Sequence, residues 1–98
     1  MASYRLDKVR EMLLRELTDI VPRLRDPRIG FVTIMDVEVT RDMRRATMYI
    51  SVVGDDDAKQ EATEALEKAL GYIRREIAKR ITLRHVPEFA VVYDDTSE

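Results

Sequence analysis

Residues 57–84 read DAKQEATEALEKALGYIRREIAKRITLR, an apolar stripe with a single glycine in its middle and a change of charge sign at that glycine. Ala62, Ala65, Leu66, Ala69 and Leu70 recur at helical spacing before Gly71, and Ile73, Ile77 and Ile81 resume the stripe beyond it. The polar face is acidic up to Leu70, whereas residues 71–86 carry five Lys/Arg against one acid. A glycine inside a helix costs about 1 kcal/mol relative to alanine, because it frees the unfolded backbone and packs nothing. Two readings of Gly71 stay open on the residues alone. The chain bends at Ala69-Leu70-Gly71 and aims a cationic helix at something anionic, or Gly71 is a plain helix end followed by a second core helix.

The rest of the chain supplies a sheet for these helices to cover. Leu6, Val9, Leu13, Leu17, Ile20 and Leu24 form one stripe of a first helix, which Pro22 should stop or kink near Val21. Asp26-Pro27-Arg28 reads as a turn, with Gly30 opening the next element. Residues 31–39 and 46–53 alternate β-branched or aromatic residues with polar ones, and the short Arg41-Asp42-Met43 link predicts an antiparallel hairpin. Asp57 with Gln60 three residues later is a capping-box pattern that starts a helix at about Ala58. Pro87 breaks the chain before a third strand at residues 89–93. The expected fold is α+β, in the order α-β-β-α-α-β, with helices on one face of a three-stranded sheet.

Ninety-eight residues, 45% hydrophobic and 37% charged, suit one globular domain spanning 1–98. No apolar run reaches the roughly 18 residues of a membrane span, and Met1-Ala2-Ser3-Tyr4-Arg5 lacks the apolar stretch of a signal peptide. With no cysteine there are no disulfides or thiolate metal sites, and a cytoplasmic location is expected.

Catalytic chemistry finds little to use. His85 is the single histidine, so neither a zinc pair nor a triad can be written, and it reads as a solvated helix-end residue. Glycines at 30, 54 and 71 form no phosphate-binding loop, asparagine is absent, and Asp55, Asp56 and Asp57 read as a loop and helix cap. No enzyme activity, cofactor or metal is expected. The net charge of -2 hides a segregated basic region, the kind of local field that favours an anionic partner.

Several ordered motifs resemble the ribosome-binding factor A family. Asp26-Pro27-Arg28-Ile29-Gly30-Phe31-Val32-Thr33 is similar to a signature of that family, as is Val37-Glu38-Val39-Thr40-Arg41-Asp42-Met43 followed by residues 46–51. Ala69-Leu70-Gly71 looks like its Ala-x-Gly kink, and Leu83-Arg84-His85-Val86-Pro87-Glu88 completes the pattern over nearly the whole chain. The resemblance implies a type II KH-like fold in which Ala-x-Gly replaces the Gly-x-x-Gly loop of ordinary KH domains. It also implies a non-enzymatic assembly factor that binds the free small (30S) ribosomal subunit and its 16S rRNA. Late maturation, 5′-end processing of the rRNA, departure before translation and growth in the cold belong to the same expectation.

Under that fold, the segment around Gly71 becomes the RNA-reading surface. At about 100° per residue, Arg75 and Lys79 fall opposite the Ile73–Ile77–Ile81 stripe and are the strongest phosphate ligands, with Arg74 and Arg80 flanking it. Gly71 would let an RNA backbone approach the amino-terminal end of the basic helix. Arg80 has a local competitor in Glu76, and Arg84 either binds phosphate or neutralises its helix dipole. Arg5 and Lys8 on the first helix, Arg28 after it, and Arg44 and Arg45 beside Arg41 at the hairpin tip extend the surface or are merely solvated. Phe31 and Tyr49 read as mainly structural. The partners expected are the free 30S subunit and its 16S rRNA, without a membrane or small-molecule substrate, for a monomeric protein. The rival is a protein–protein adaptor docking through the acidic face or the hairpin.

Overall fold

A proline two residues short of the end of its apolar stripe sets the first boundary. In the computed structural model, which describes residues 2–94, α1 (Ala2–Ile20) stops where Pro22 forbids the next helical bond. The chain then tightens into a 3-10 turn over Val21–Arg23, closed by Leu24 N–H donating to the Val21 carbonyl at 3.1 Å. A second such turn, Pro27–Ile29, is capped by the Asp26 side chain. There follow β1 (Val32–Val39), β2 (Arg45–Val52), α2 (Asp56–Arg80) and β3 (Glu88–Tyr93).

The sheet order is β1-β2-β3, with β1 antiparallel to β2 and β3 parallel to it. A parallel neighbour requires a crossover, which α2 supplies. Alternation decides the faces: Ala46, Met48, Ile50 and Val52 of β2 are buried, while the residues between them are not. The core joins them to Val37 and Val91 of the flanking strands, to Leu13, Leu17 and Ile20 of α1, and to Ala62, Ala65, Leu66, Ile73 and Ile77 of α2.

The hairpin tip is wound tightly. Met43 takes a left-handed φ of 61°, a conformation rare outside glycine and asparagine. It is held by Met43 N–H on the Thr40 carbonyl and by the Asp42 carboxylate, which accepts from the Thr40 hydroxyl and the Arg44 amide. Those bonds, the Thr40 hydroxyl foremost, lower the pKa of Asp42. Its charge is thereby committed to the turn, and Arg41, Arg44 and Arg45 project around it.

The α+β class and the three-stranded sheet are as expected, but the two expected helices are one. α2 runs 25 residues through Gly71, which is neither a break between helices nor a helix end. Ile73 and Ile77 follow Ala62, Ala65 and Leu66 in the same helical phase, so every turn buries apolar area on the same side. Each fully buried side chain of isoleucine size contributes roughly 1.5–3 kcal/mol, which exceeds the glycine's local cost. Gly71 itself lies on the opposite, exposed face. The cap also moves, since Asp55 rather than Asp57 accepts from Ala58 N–H at 2.8 Å, and Gln60 donates to Glu64 instead of closing a capping box. At the far end the helix stops at Arg80, so Arg84 lies beyond it and does not sit on its last turn.

An added methyl group at Gly71 would meet only the Arg75 guanidinium, at an ordinary 3.6 Å. The Gly71→Ala variant should therefore gain about 0.5–1 kcal/mol of stability, read as a higher urea midpoint at unchanged slope. A lowered midpoint would show that this position needs more than ordinary helical backbone.

Candidate nucleic-acid interface

The connection from α2 to β3, residues 81–87, carries carbonyl groups with no strand to pair them. Arg74 pairs two: its Nη2 donates to the Val86 carbonyl at 2.9 Å and its Nε to that of Pro87 at 3.3 Å. A planar guanidinium fork suits two neighbouring acceptors, and no carboxylate among the described residues neutralises it. Arg74 thus fixes this loop against the helix and leaves its own charge in place. Buried Pro87 anchors the loop's end, while Arg84 and His85 remain exposed.

Parallel pairing of β3 with β2 then brings the loop to the hairpin. Glu88 N–H donates to the Arg44 carbonyl at 2.9 Å, so the strand start and the hairpin base are adjacent. A chain of shallow clefts runs across the resulting surface. Arg44, Arg45 and Glu88 face Arg74, His85 and Val86 across one of them. Arg74, His85 and Val86 continue into the next, which adds Gly71, Arg75, Ala78 and Arg84. Arg84 and His85 also border a cleft with Arg5 of α1 and Met43 of the hairpin, and Arg41 joins Arg44 and Arg45 at the tip. Side chains distant in sequence form one basic band, in which Glu88 and the committed Asp42 are the acidic members.

Apart from Arg74, the arginines of this band are uncommitted. The side chains of Arg5, Arg41, Arg44, Arg45, Arg75 and Arg84 make no hydrogen bond or ion pair with another described residue. Gly71 stands at the edge of the band, where its missing side chain keeps the cleft beside Arg75 open.

The other expected ligands are placed elsewhere. Arg80 is turned toward α1, where its Nη1 meets Glu16 at 3.1 Å and Asp19 at 2.7 Å, with Glu76 a looser 3.8 Å neighbour. The Arg80 bond is the largest reason that the Asp19 carboxyl is lowered, and Asp19 in turn raises Arg80. Glu76 therefore competes less for Arg80 than α1 does. Arg28 grips Asp26 with both ends of its fork, Nε to Oδ1 at 3.0 Å and Nη2 to Oδ2 at 2.7 Å. Arg80 and Arg28 are thus each paired with carboxylates of the fold, unlike the arginines of the band. Lys79 pairs with Glu76 at 3.3 Å, an exposed contact of the weakest kind, and Lys8 lies on α1 outside these clefts.

His85 is the band member that its sequence context gives no reason to choose, because its neighbours come from strand pairing and not from its own segment. Phe31, expected to be structural, is instead 69% exposed. Tyr49 fits the structural reading better, its hydroxyl donating to Glu38 at 2.7 Å. Among the described residues, no group of three or more His, Asp or Glu is placed to hold a metal ion. No helix among them is long and apolar enough to cross a membrane. Asp95 and Glu98 of the acidic carboxy-terminal segment lie outside the described residues.

The family model described as ribosome-binding factor A matches residues 5–98. A ribosome-binding factor A from Halothermothrix orenii is 43% identical over all of this chain and 81% of its own length. The solution NMR structure of a Thermotoga maritima protein is 34% identical, with a TM-score of 0.84 over 98% of this chain and 92% of that one. The ribosome binding factor A of Thermus thermophilus, as fitted into the cryo-EM map of a 30S complex, shares the fold. Its TM-score is 0.78 at 22% identity, covering 92% of this chain and 96% of that one.

The Asp26–Arg28 pair has a consequence in acid. The Arg28 guanidinium, and after it the Arg28 backbone N–H, draws the Asp26 carboxyl from an ordinary 3.8 down to about 2. A native value below the unfolded one adds stability that is complete above the ordinary carboxylate range and is lost as the pH falls through the native value. In the Arg28→Ala variant, an NMR titration should find the Asp26 pKa raised toward its ordinary range but still below it, because the backbone N–H of residue 28 continues to donate to the carboxylate. The stability gap between the two proteins should be widest at neutral pH and shrink between about pH 4 and pH 2. A gap independent of pH would place the effect in packing.

Proposed function

The chain belongs to the ribosome-binding factor A family, and from that premise we propose that it binds the free small (30S) ribosomal subunit through 16S rRNA phosphates along the basic band. The observation that carries this reading is the assembly of uncommitted arginines from three separated segments: the hairpin tip, the second half of α2 and the loop after it. Unpaired like charges repel one another and contribute nothing to the core, so a polyanionic partner gives them a purpose that folding does not. The Thermus thermophilus relative fitted into a 30S complex supports the choice of partner.

Arg75, Arg84, Arg44 and Arg45 are the proposed phosphate ligands, with Arg5 at the margin and Lys79 available once its weak pair opens. Arg74 acts through the loop that it ties down. Nothing in this scheme makes or breaks a bond. The protein would support late maturation and 5′-end processing of the rRNA by occupying the immature subunit and leaving before translation, and the benefit would be greatest in the cold. Binding is mostly electrostatic, and register comes from the shape of folded RNA.

A second reading has one observation in its favour. Phe31 and Val53, 69% and 73% exposed, are neighbours at the acidic end of the molecule, where Val53 N–H donates to the Phe31 carbonyl. A protein partner docking there would bind with little dependence on salt.

Sedimentation with purified free subunits separates the two. Arg75→Ala combined with Arg84→Ala should weaken co-migration and flatten its salt dependence, by about 0.7–0.9 in logarithmic slope for each phosphate the variant no longer neutralises. Arg28→Ala should leave that slope as it is. A native protein whose binding ignores salt, or a double variant with the native slope, would overturn the assignment in favour of the adaptor.

A further inference from the structure

The outward face of α2 holds an aromatic residue that neither the core nor the basic band uses. Tyr72 is 47% exposed, and its hydroxyl has no hydrogen-bond partner among the described residues. Its link to the proposed RNA-binding surface is Arg75, which lines that surface and lies nearly one turn further along the helix, about 60° round from Tyr72. At about 100° per residue, Lys68, Tyr72, Arg75 and Lys79 fall within roughly 60° of one another, a single stripe along the helix about 16 Å long. Lys68 lies one turn before the ring, Arg75 nearly one turn after it and Lys79 two turns after it. Arg75 belongs to the band, so the stripe continues that surface across the helix.

Four other aromatic rings have different company. Tyr49 is bonded to Glu38, the Tyr93 ring lies 5.2 Å beneath the Lys59 ammonium, Phe89 packs against the core, and Phe31 sits at the acidic end. Among these rings, Tyr72 is the one that combines an open face with cations on both sides along the chain. Of the carboxylates near this stripe, Glu76 holds Lys79 and approaches Arg80, and Asp26, which feels Lys68, is gripped by Arg28, while Glu64 and Glu61 lie one and two turns before Lys68 and bound the stripe on its amino-terminal side.

An exposed aromatic between cations is the arrangement that binds unpaired nucleotides. The ring offers a flat apolar face to any base, and the cations hold the phosphates before and after it. A paired base has no free face, so a duplex would meet the same stripe with its backbone alone. From this geometry we propose that Tyr72 stacks on one unpaired base of the rRNA, with Lys68 and Arg75 taking the phosphates on either side. The inference rests on the reading of the preceding subsection and adds a ligand to it. The surface engages a junction between a structured helix and a single-stranded segment, with the arginine band on the former and Tyr72 on the latter.

Stacking and charge respond differently to substitution, which makes the proposal testable with purified free small subunits. Tyr72→Leu keeps a good helix former at an exposed site and removes the ring. Its circular dichroism should be native, its affinity roughly 5- to 150-fold weaker, and its salt slope unchanged. Tyr72→Phe and Tyr72→Trp should both bind as the native protein does, because the ring and not the hydroxyl is used. The chain contains no tryptophan, so Tyr72→Trp also installs a sole fluorophore whose emission should be quenched when subunits are added. Native affinity for Tyr72→Leu, or unquenched emission from bound Tyr72→Trp, would overturn the stacking proposal. If the Arg75→Ala, Arg84→Ala double variant still binds poorly in that case, the broader reading survives alone. If it binds normally, both fall.

Discussion

The unbroken apolar phase of α2 is the constraint on which the rest of the structure depends. Ala62, Ala65, Leu66, Ile73 and Ile77 are buried on one side of a 25-residue helix that spans the crossover between two parallel strands. Because the phase holds across Gly71, the acidic first half and the basic second half belong to one element and share one solvent-facing side. Where α2 ends also decides where the chain turns back, and hence that residues 81–87 cross beside the hairpin. Arg74 can bridge the Val86 and Pro87 carbonyls only because its turn of helix is held at that distance by Ile73 and Ile77.

Two kinds of cation result, and pairing distinguishes them better than position in sequence does. Arg80 and Arg28 meet carboxylates at 2.7 Å in pairs on the surface, one joining α2 to α1 and the other closing the turn before β1. Arg41, Arg44, Arg45, Arg75 and Arg84 meet none among the described residues and gather on one surface. Exposed ion pairs are weak, so the fold would gain little from acids supplied to this surface. Within α2 the acids are instead concentrated in the first half, before Gly71. That segregation also explains a chain of net negative charge that presents a strongly positive patch.

Much of the fold can be read from the residues, because burial and backbone chemistry act locally there. Pro22 ends α1, the alternation at residues 46–53 gives β2, and Pro87 precedes β3. Gly71 misleads because helix propensity is a local quantity, whereas the continuity of α2 depends on contacts with β2 and β3 that no window of sequence contains. The relevant signal lies in the phase: Ile73 and Ile77 continue the stripe of Ala62 and Leu66 without a shift, which a bend or a helix end would not require. The cap shows the same limit, since three successive aspartates offer three starts and only backbone geometry selects Asp55.

The site is legible as a composition and not as an arrangement. Arginine clusters at 41–45, 74–75 and 84 are visible, but their union follows from the Arg44–Glu88 backbone bond, a product of strand pairing. Spacing treats Arg75 and Arg80 alike, while α1 turns one of them inward through Asp19 and Glu16, 61 and 64 residues away in sequence. Tyr72 escapes a search for aromatics in strands because it lies on a helix. Its importance depends on knowing that α2 is continuous: in a chain bent at Gly71, Lys68 and Arg75 would belong to different helices and could not flank one ring. The glycine at the middle of the segment therefore sits within the element that aligns its cations, and its missing side chain leaves the space beside Arg75 open.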